Sequence, residues 1–322
     1  MKTSLKKTLK TVLPIALGVF LVWYSYYVTS EEDRKQIIYY IKEADLFWVA
    51  ISILMGVLSH ISRAIRWNYL LEPLGYKPKL TNNILIIITA YFANLGIPRS
   101  GEILRATALS TYEKVPFEKG FGTIVTERVI DLMMLLVLIV VTFFLQTDII
   151  LEFFQNRGFN LNSLFLLLGV GTVGAALIFF LLKKSKHTFV LKIKTFLTGL
   201  LQGVLSIFKM KYKWLFIVHT IFIWGLYIAM FWVVKFTVPE TIDLSISQLL
   251  VAFIFGAFAM TATNGGVGLY PIAVSGALAI FGISSTSGDA FGWILWISQT
   301  LMIVVFGAIS FLVLPLLNRN NS

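Results

Sequence analysis

Four groups of residues carry whatever chemistry this chain can do. The first is Asn94, Arg99, Glu102 and Arg105, set around a break at Gly96-Ile97-Pro98. The second is Glu127, Arg128 and Asp131, where Glu127/Asp131 are four apart and Arg128/Asp131 three apart, spacings that bring helical side chains together. In the third, His60, Arg63 and Trp67 share one helical face with Arg66 beside them. The fourth is the run Asn264-Gly265-Gly266-Val267-Gly268, closed by Pro271. A guanidinium fork holds two phosphate oxygens at once, and helix ends freed at a glycine-bearing break present backbone donors that suit the same anion. Arg63 and Arg66 have two readings: they grip a lipid phosphate, or they set topology by snorkelling to headgroups. Carboxylates this close to arginines are expected to pair, Arg128 with Asp131 in particular, either to pin helices or to serve transport.

Around the first break two arginines outnumber one glutamate. If Glu102 neutralises one, the other keeps a positive charge, and Arg105 is the expected phosphate ligand. Catalysis is harder to support. The chain has no Cys, and His60, His187 and His219 are scattered, so neither thiolate chemistry nor a metal-ligand set is in view. No nucleophile–base pair or nucleotide motif stands out, and no cofactor is expected.

The elements that position these residues belong in a membrane. Of 322 residues 57% are apolar and 13% charged, with a mean hydropathy of +0.83, which removes the chain from the class of soluble domains. The net charge of +11 is no nucleic-acid footprint, because the basic residues cluster beside apolar runs as inside loops do. Apolar runs at residues 12–28, 46–65, 121–145, 163–182, 214–235 and 290–317 predict six full spans. The run at 84–98 falls short of the ~20 residues a crossing needs, so residues 84–119 predict a helical hairpin that enters and leaves on one side. The competing reading is a loop with solvated charges. A second pair of short limbs, residues 247–283, breaks at the Asn264 motif in the same way. A formal G-x-G-x-x-G at Gly169, Gly171 and Gly174 sits inside an apolar run with no strand before it, and is read as helix packing.

Charge sets the orientation. Residues 183–213 hold eight lysines among apolar residues, an inside interfacial segment, whereas residues 237–246 hold acids and no Lys or Arg, an outside loop. Both termini then lie on the cytoplasmic side of the cell membrane. The expected fold is all-α, a polytopic membrane protein of six full spans plus two re-entrant helical hairpins arranged as inverted-topology repeats. The first repeat is residues 1–146 and the second 147–322. Paired broken helices at matching positions in two halves point to a binding site at the membrane midplane.

The segment Arg63-x-x-Arg66-Trp67, Asn94 with Pro98, Gly101-Glu102, Arg105, Glu127-Arg128 with Asp131, and Gly265-Gly266-Val267-Gly268 together resemble the lysylphosphatidylglycerol synthase transmembrane region, or flippase-like, family. The resemblance covers nearly the whole chain. It departs at the second hairpin, where that family is similar to Pro-Gly-Gly-Leu-Gly followed by a glutamate, and this chain has Asn264 and Pro271. No counterpart of the family's soluble aminoacyl-transferring domain is seen. The resemblance therefore implies lipid translocation: a transporter moving a lipid with an anionic or phosphate-bearing headgroup between leaflets, its substrate held by Arg63, Arg66, Asn94, Arg99, Glu102, Arg105, Glu127, Arg128, Asp131, Asn264, Gly265, Gly266 and Gly268. The alternatives are an integral-membrane enzyme using Glu102, Glu127 or Asp131 as acid or base on a lipid-linked substrate, and a partner that delivers lipid to a separate lipid-modifying enzyme.

The orientation is testable by labelling: a cysteine replacing Ser247 should react with an impermeant maleimide from outside, and one replacing Ser185 only after the inner face is opened. Outside labelling at residue 185 would overturn the inverted arrangement.

Overall fold

The computed structural model describes residues 16–147 and 210–319. The expected span at 163–182, the glycine motif within it and most of the basic segment at 183–213 lie outside the described residues. Ten α-helices make up the described chain: α1 (Ala16–Val28), α2 (Glu31–Lys42), α3 (Leu46–Leu71), α4 (Leu80–Gly96), α5 (Ser100–Glu113), α6 (Phe117–Leu145), α7 (Lys213–Val234), α8 (Ile246–Ala262), α9 (Leu269–Ala279) and α10 (Ser285–Leu317). With the short turns that extend two of them, α3, α6, α7 and α10 are long and apolar enough to cross a membrane, while α1, α4, α8 and α9 are shorter apolar helices. The protein is an all-helical membrane protein among its described residues.

Local chemistry sets the helix ends. The Asp45 carboxylate accepts the Phe47 N–H at 2.9 Å to start α3, and Ser245 with Gln248 forms a reciprocal capping box that starts α8. Pro98 ends the α4 direction: the residue before a proline is pushed out of the helical region, and Ile97 is extended at φ −127°. Arg99 then takes φ +60° before α5 begins. Asn94, near the end of α4, caps α5 from outside, its Oδ1 accepting the Gly101 N–H at 2.7 Å. A side chain on Gly101 would lie 2.8 Å from the Asn94 amide nitrogen, so glycine is what lets the two limbs approach here.

The spine is α10. Its first turns lie against α9, with Gly288 opposite Ser275 and Gly292 opposite Pro271. Near its middle, Trp296 donates its indole N–H to the Gly265 carbonyl at 2.8 Å, at the tip between α8 and α9. Further on, Gly307 faces Phe92 of α4, and at the end Asn318 exchanges amide hydrogen bonds of 2.9 Å with Asn82, near the start of α4. The α8–α9 pair and the α4–α5 pair therefore run in from opposite ends of α10 and meet tip to tip. At the meeting point Asn264 donates from Nδ2 to the Leu95 carbonyl at 2.6 Å. Lengths agree: a 17-residue limb spans ~25 Å against ~50 Å for the 33 residues of α10, at ~1.5 Å per residue. Two apolar cores match this division, one around α7 to α10 and one around α3 to α6.

Two polar contacts fasten the start of α10. The Thr286 hydroxyl donates to Asp33 of α2 at 2.7 Å, and the Ser284 N–H to Glu240 at 2.9 Å. The Ser284 bond holds the Glu240 carboxyl below the usual glutamate range. A carboxyl depressed in the fold contributes stability above its unfolded value and loses it as pH falls through the folded value. Thermal scans in detergent should show a fall in midpoint below pH ~4.3, the free glutamate value, and Glu240→Gln should make that fall shallower. An unchanged acid limb in the variant would show the contact to be incidental.

Candidate functional site

Helix α3 brings Arg63 and Arg66 to α6, where Glu127 and Asp131 sit one turn apart, and α5 adds Arg105 from the other side. Arg63 Nη1 donates to Glu127 Oε1 at 2.7 Å and to Asp131 Oδ2 at 2.6 Å. Arg66 Nη2 reaches Asp131 Oδ1 at 2.9 Å, with Glu127 at 3.7 Å. Arg105 grips Glu127 with both terminal nitrogens at 3.1 Å each. Its guanidinium lies 4.2 Å from the ring centre of Trp67, a contact that favours a desolvated cation. All five side chains are buried except for a small exposure of Asp131.

Neighbouring groups hold these side chains in place. Tyr227 and Thr220 of α7 accept from Arg63 and Arg66 at 3.1 and 3.2 Å. Trp67 donates to Thr123 at 2.9 Å, and Thr123 in turn to the Gly120 carbonyl. His60 lies against Tyr91, ring centres 4.5 Å apart. The Nε groups of Arg63, Arg66 and Arg105 are buried without a hydrogen-bond partner.

A second, more open pair adjoins the buried one. Arg128 Nη2 meets Glu102 Oε1 at 3.1 Å between α6 and α5, and these side chains keep 39% and 24% of their surface exposed. Counting both, four guanidinium groups face three carboxylates, and one positive charge is left over.

Several sequence expectations change here. Arg128 pairs with Glu102 instead of Asp131, because Asp131 turns with Glu127 toward the arginines of α3. Arg63 and Arg66 are locked in ion pairs and do not snorkel. Arg105, expected to hold a free charge, is bound bidentately by Glu127. Arg99 is exposed at the break and takes part in none of the ion pairs. At the other tip, Asn264 is spent on Leu95, and Gly265, Gly266 and Gly268 all have positive φ. A side chain at Gly268 would come 2.6 Å from the Gly18 carbonyl of α1, so these glycines bring backbones together as much as they expose donors. Tyr227, Thr220 and Thr123 escaped the sequence reading, since nothing in their own segments marks a partner more than fifty residues away. So did the hydrogen bond between Ser62 Oγ and His219 Nδ1 at 2.8 Å, a nucleophile–base type of pair. Ser62 is 3% exposed, out of reach of a substrate.

Residues 11–314 match the family described as lysylphosphatidylglycerol synthase TM region, and the chain belongs to it. It is 27% identical over 149 residues to the UPF0104 membrane protein MJ1595 of Methanocaldococcus jannaschii, covering 45% of this chain and 43% of that protein. It is 33% identical over 129 residues to Glycosyltransferase AglD of Haloferax volcanii, covering 39% of this chain and 19% of that protein. The chain thus spans less than half the length of either relative. No solved structure matches it.

The pairing makes a mutational prediction. Glu127→Gln leaves Arg63 and Arg105 without their shared partner and should cost ~3–5 kcal/mol. In double-mutant cycles Arg128→Gln should couple more strongly to Glu102→Gln, its direct partner, than to Asp131→Asn, its neighbour on α6. Unfolding in detergent measures both. Coupling of Arg128 to Asp131 instead of Glu102 would contradict the pairing.

Proposed function

We propose that this member of the lysylphosphatidylglycerol synthase TM region family is a flippase-like transporter, moving a lipid with a phosphate-bearing headgroup between leaflets. The observation that carries the reading is the surplus guanidinium beside the meeting point of two half-length hairpins. Charge removed from water acts strongly: two unit charges 4 Å apart attract by ~4 kcal/mol at an effective dielectric of 20, against ~1 in water. An anionic headgroup entering the cluster would cancel the surplus. The surplus lies in the buried block, three guanidinium groups against two carboxylates, and Arg128, paired with Glu102 but far more exposed than those three, is the guanidinium that an entering headgroup meets first.

In this reading the hairpins are re-entrant, the two halves are inverted repeats, and both termini face the cytoplasm. Hairpin breaks of this kind occur at membrane depth where they are buried in protein or line a wet path, and paired breaks mark binding sites in transporters. A second reading is favoured by the likeness to a protein named as a glycosyltransferase: the membrane helices present a lipid-linked substrate to a separate transferase. Phosphate recognition is common to both.

Proteoliposomes carrying a fluorescent anionic phospholipid, with dithionite quenching from outside, test the first. Arg128→Ala should slow movement at least tenfold, a loss of ~1.4 kcal/mol in transition-state stabilisation. Arg128→Lys should fall between, since a point charge replaces a fork. Arg99→Ala should match the parent. Parental movement in Arg128→Ala would remove the phosphate role of this site.

A further inference from the structure

The Arg128–Glu102 pair says more about the headgroup than that it carries phosphate. The pair bridges α6 and the first turn of α5 at 3.1 Å, one turn beyond the Ile97-Pro98-Arg99 break, and it is the most exposed part of the cluster. Each partner keeps an unused group: Glu102 Oε2 and Arg128 Nε are buried without a hydrogen-bond partner. We infer that Glu102 is a specificity residue which accepts a hydroxyl of the headgroup while Arg128 takes its phosphate, so that the site selects a hydroxyl-bearing phosphodiester of single negative charge. The inference rests on the phosphate reading above and deepens it.

Two physical constraints lead there. The first is what becomes of Glu102 when a phosphate takes Arg128. A ligand that supplies only negative charge removes the carboxylate's partner and leaves a half-buried carboxylate, its Oε2 shut off from solvent, without compensation, an unfavourable exchange. A ligand that also brings a donor replaces both halves of the pair. A carboxylate is an acceptor with two oxygens, so Oε1 and Oε2 can take a diol as readily as one hydroxyl. The second constraint is the charge count. With four guanidinium groups against three carboxylates, a ligand of charge −1 brings the cluster to neutrality. Phosphoglycerol and phosphosugar diesters meet both conditions. Phosphatidic acid lacks the separate donor, phosphatidylcholine lacks both donor and net charge, and phosphatidylethanolamine, a zwitterion, leaves the surplus charge in place. A site built to pair with a hydroxyl discriminates sharply against analogues without one, since its own polar group is then stranded.

Binding is the readout, so that selectivity is tested whether or not transport occurs. The purified full chain in detergent is titrated with short-chain phosphatidylglycerol, phosphatidylinositol, phosphatidic acid, phosphatidylethanolamine and phosphatidylcholine, and thermal stabilisation gives the affinity for each. One or both hydroxyl-bearing diesters should bind at least tenfold tighter than the other three, and which of them leads separates a glycerol from a sugar-like headgroup. Glu102→Gln, nearly isosteric and therefore a fair test of folding, should narrow the advantage over phosphatidic acid to less than threefold. The same lipids are then followed in the proteoliposome assay. Selective binding without movement would overturn the transporter reading and leave this inference standing. Movement with no preference among headgroups, or a Glu102→Gln variant that keeps the parental ranking, would overturn this inference alone.

Discussion

Everything near the centre of this protein depends on a single exchange: charges taken out of water must be compensated by one another. Three arginines and two carboxylates on three different helices could not stand alone in an apolar interior. Each would favour unfolding the helix that carries it or drawing water inward. Together they form an assembly in which Glu127 serves Arg63 and Arg105, and Asp131 serves Arg63 and Arg66. The arrangement fixes α3, α5 and α6 relative to one another more narrowly than apolar packing would, because a one-residue rotation of any of them breaks ion pairs instead of exchanging one aliphatic contact for another. Trp67 completes it by covering Arg105 with a ring face while its own N–H goes to Thr123.

Around that fixed block, the tips are held by different means. Where α4 meets the α8–α9 turn, the contact consists of one amide on a backbone carbonyl, an indole on another, and glycines that permit close approach. Hydrogen bonds between neutral groups contribute ~1 kcal/mol each, far less than a desolvated ion pair costs to break. The molecule therefore has a stiff part and a yielding part side by side, with α10 running past both.

The sequence makes the helices legible and the partners illegible. Long apolar runs and Pro/Gly breaks locate α3, α4, α6, α7, α8 and α10, with ends up to six residues off where a helix runs on into polar residues, as α3 does past Ile65 to Leu71, because hydropathy and helix-breaking act through neighbours in the chain. Glu127 and Asp131, a turn apart, announce one charged face, and Arg63 and Arg66 announce its complement. What cannot be read is which face meets which. Arg128 and Asp131 are neighbours on α6 yet take different partners, while Arg105 and Glu127 come together from different helices. Interhelical choice rests on packing angles and loop paths, for which a single sequence carries no periodic signal.

For the transporter proposed above, the same contrast between the buried block and the hydrogen-bonded tips favours one place of headgroup entry over the other. Opening the buried block would strand Glu127, whose hydrogen-bond and ion-pair partners among the described residues are the three arginines. Opening the Arg128–Glu102 pair strands nothing if the incoming group replaces both partners, and it leaves Arg105, only three residues beyond Glu102, still anchored to α6. The first turn of α5 is held to the end of α4 by Asn94 on Gly101, and the next residue, Leu95, accepts from Asn264 of the opposite hairpin, so the two contacts to the end of α4 are adjacent. On the proposed transporter reading, headgroup contact would reach the tips through three adjacent joints, the Arg128–Glu102 ion pair and the Asn94–Gly101 and Asn264–Leu95 hydrogen bonds.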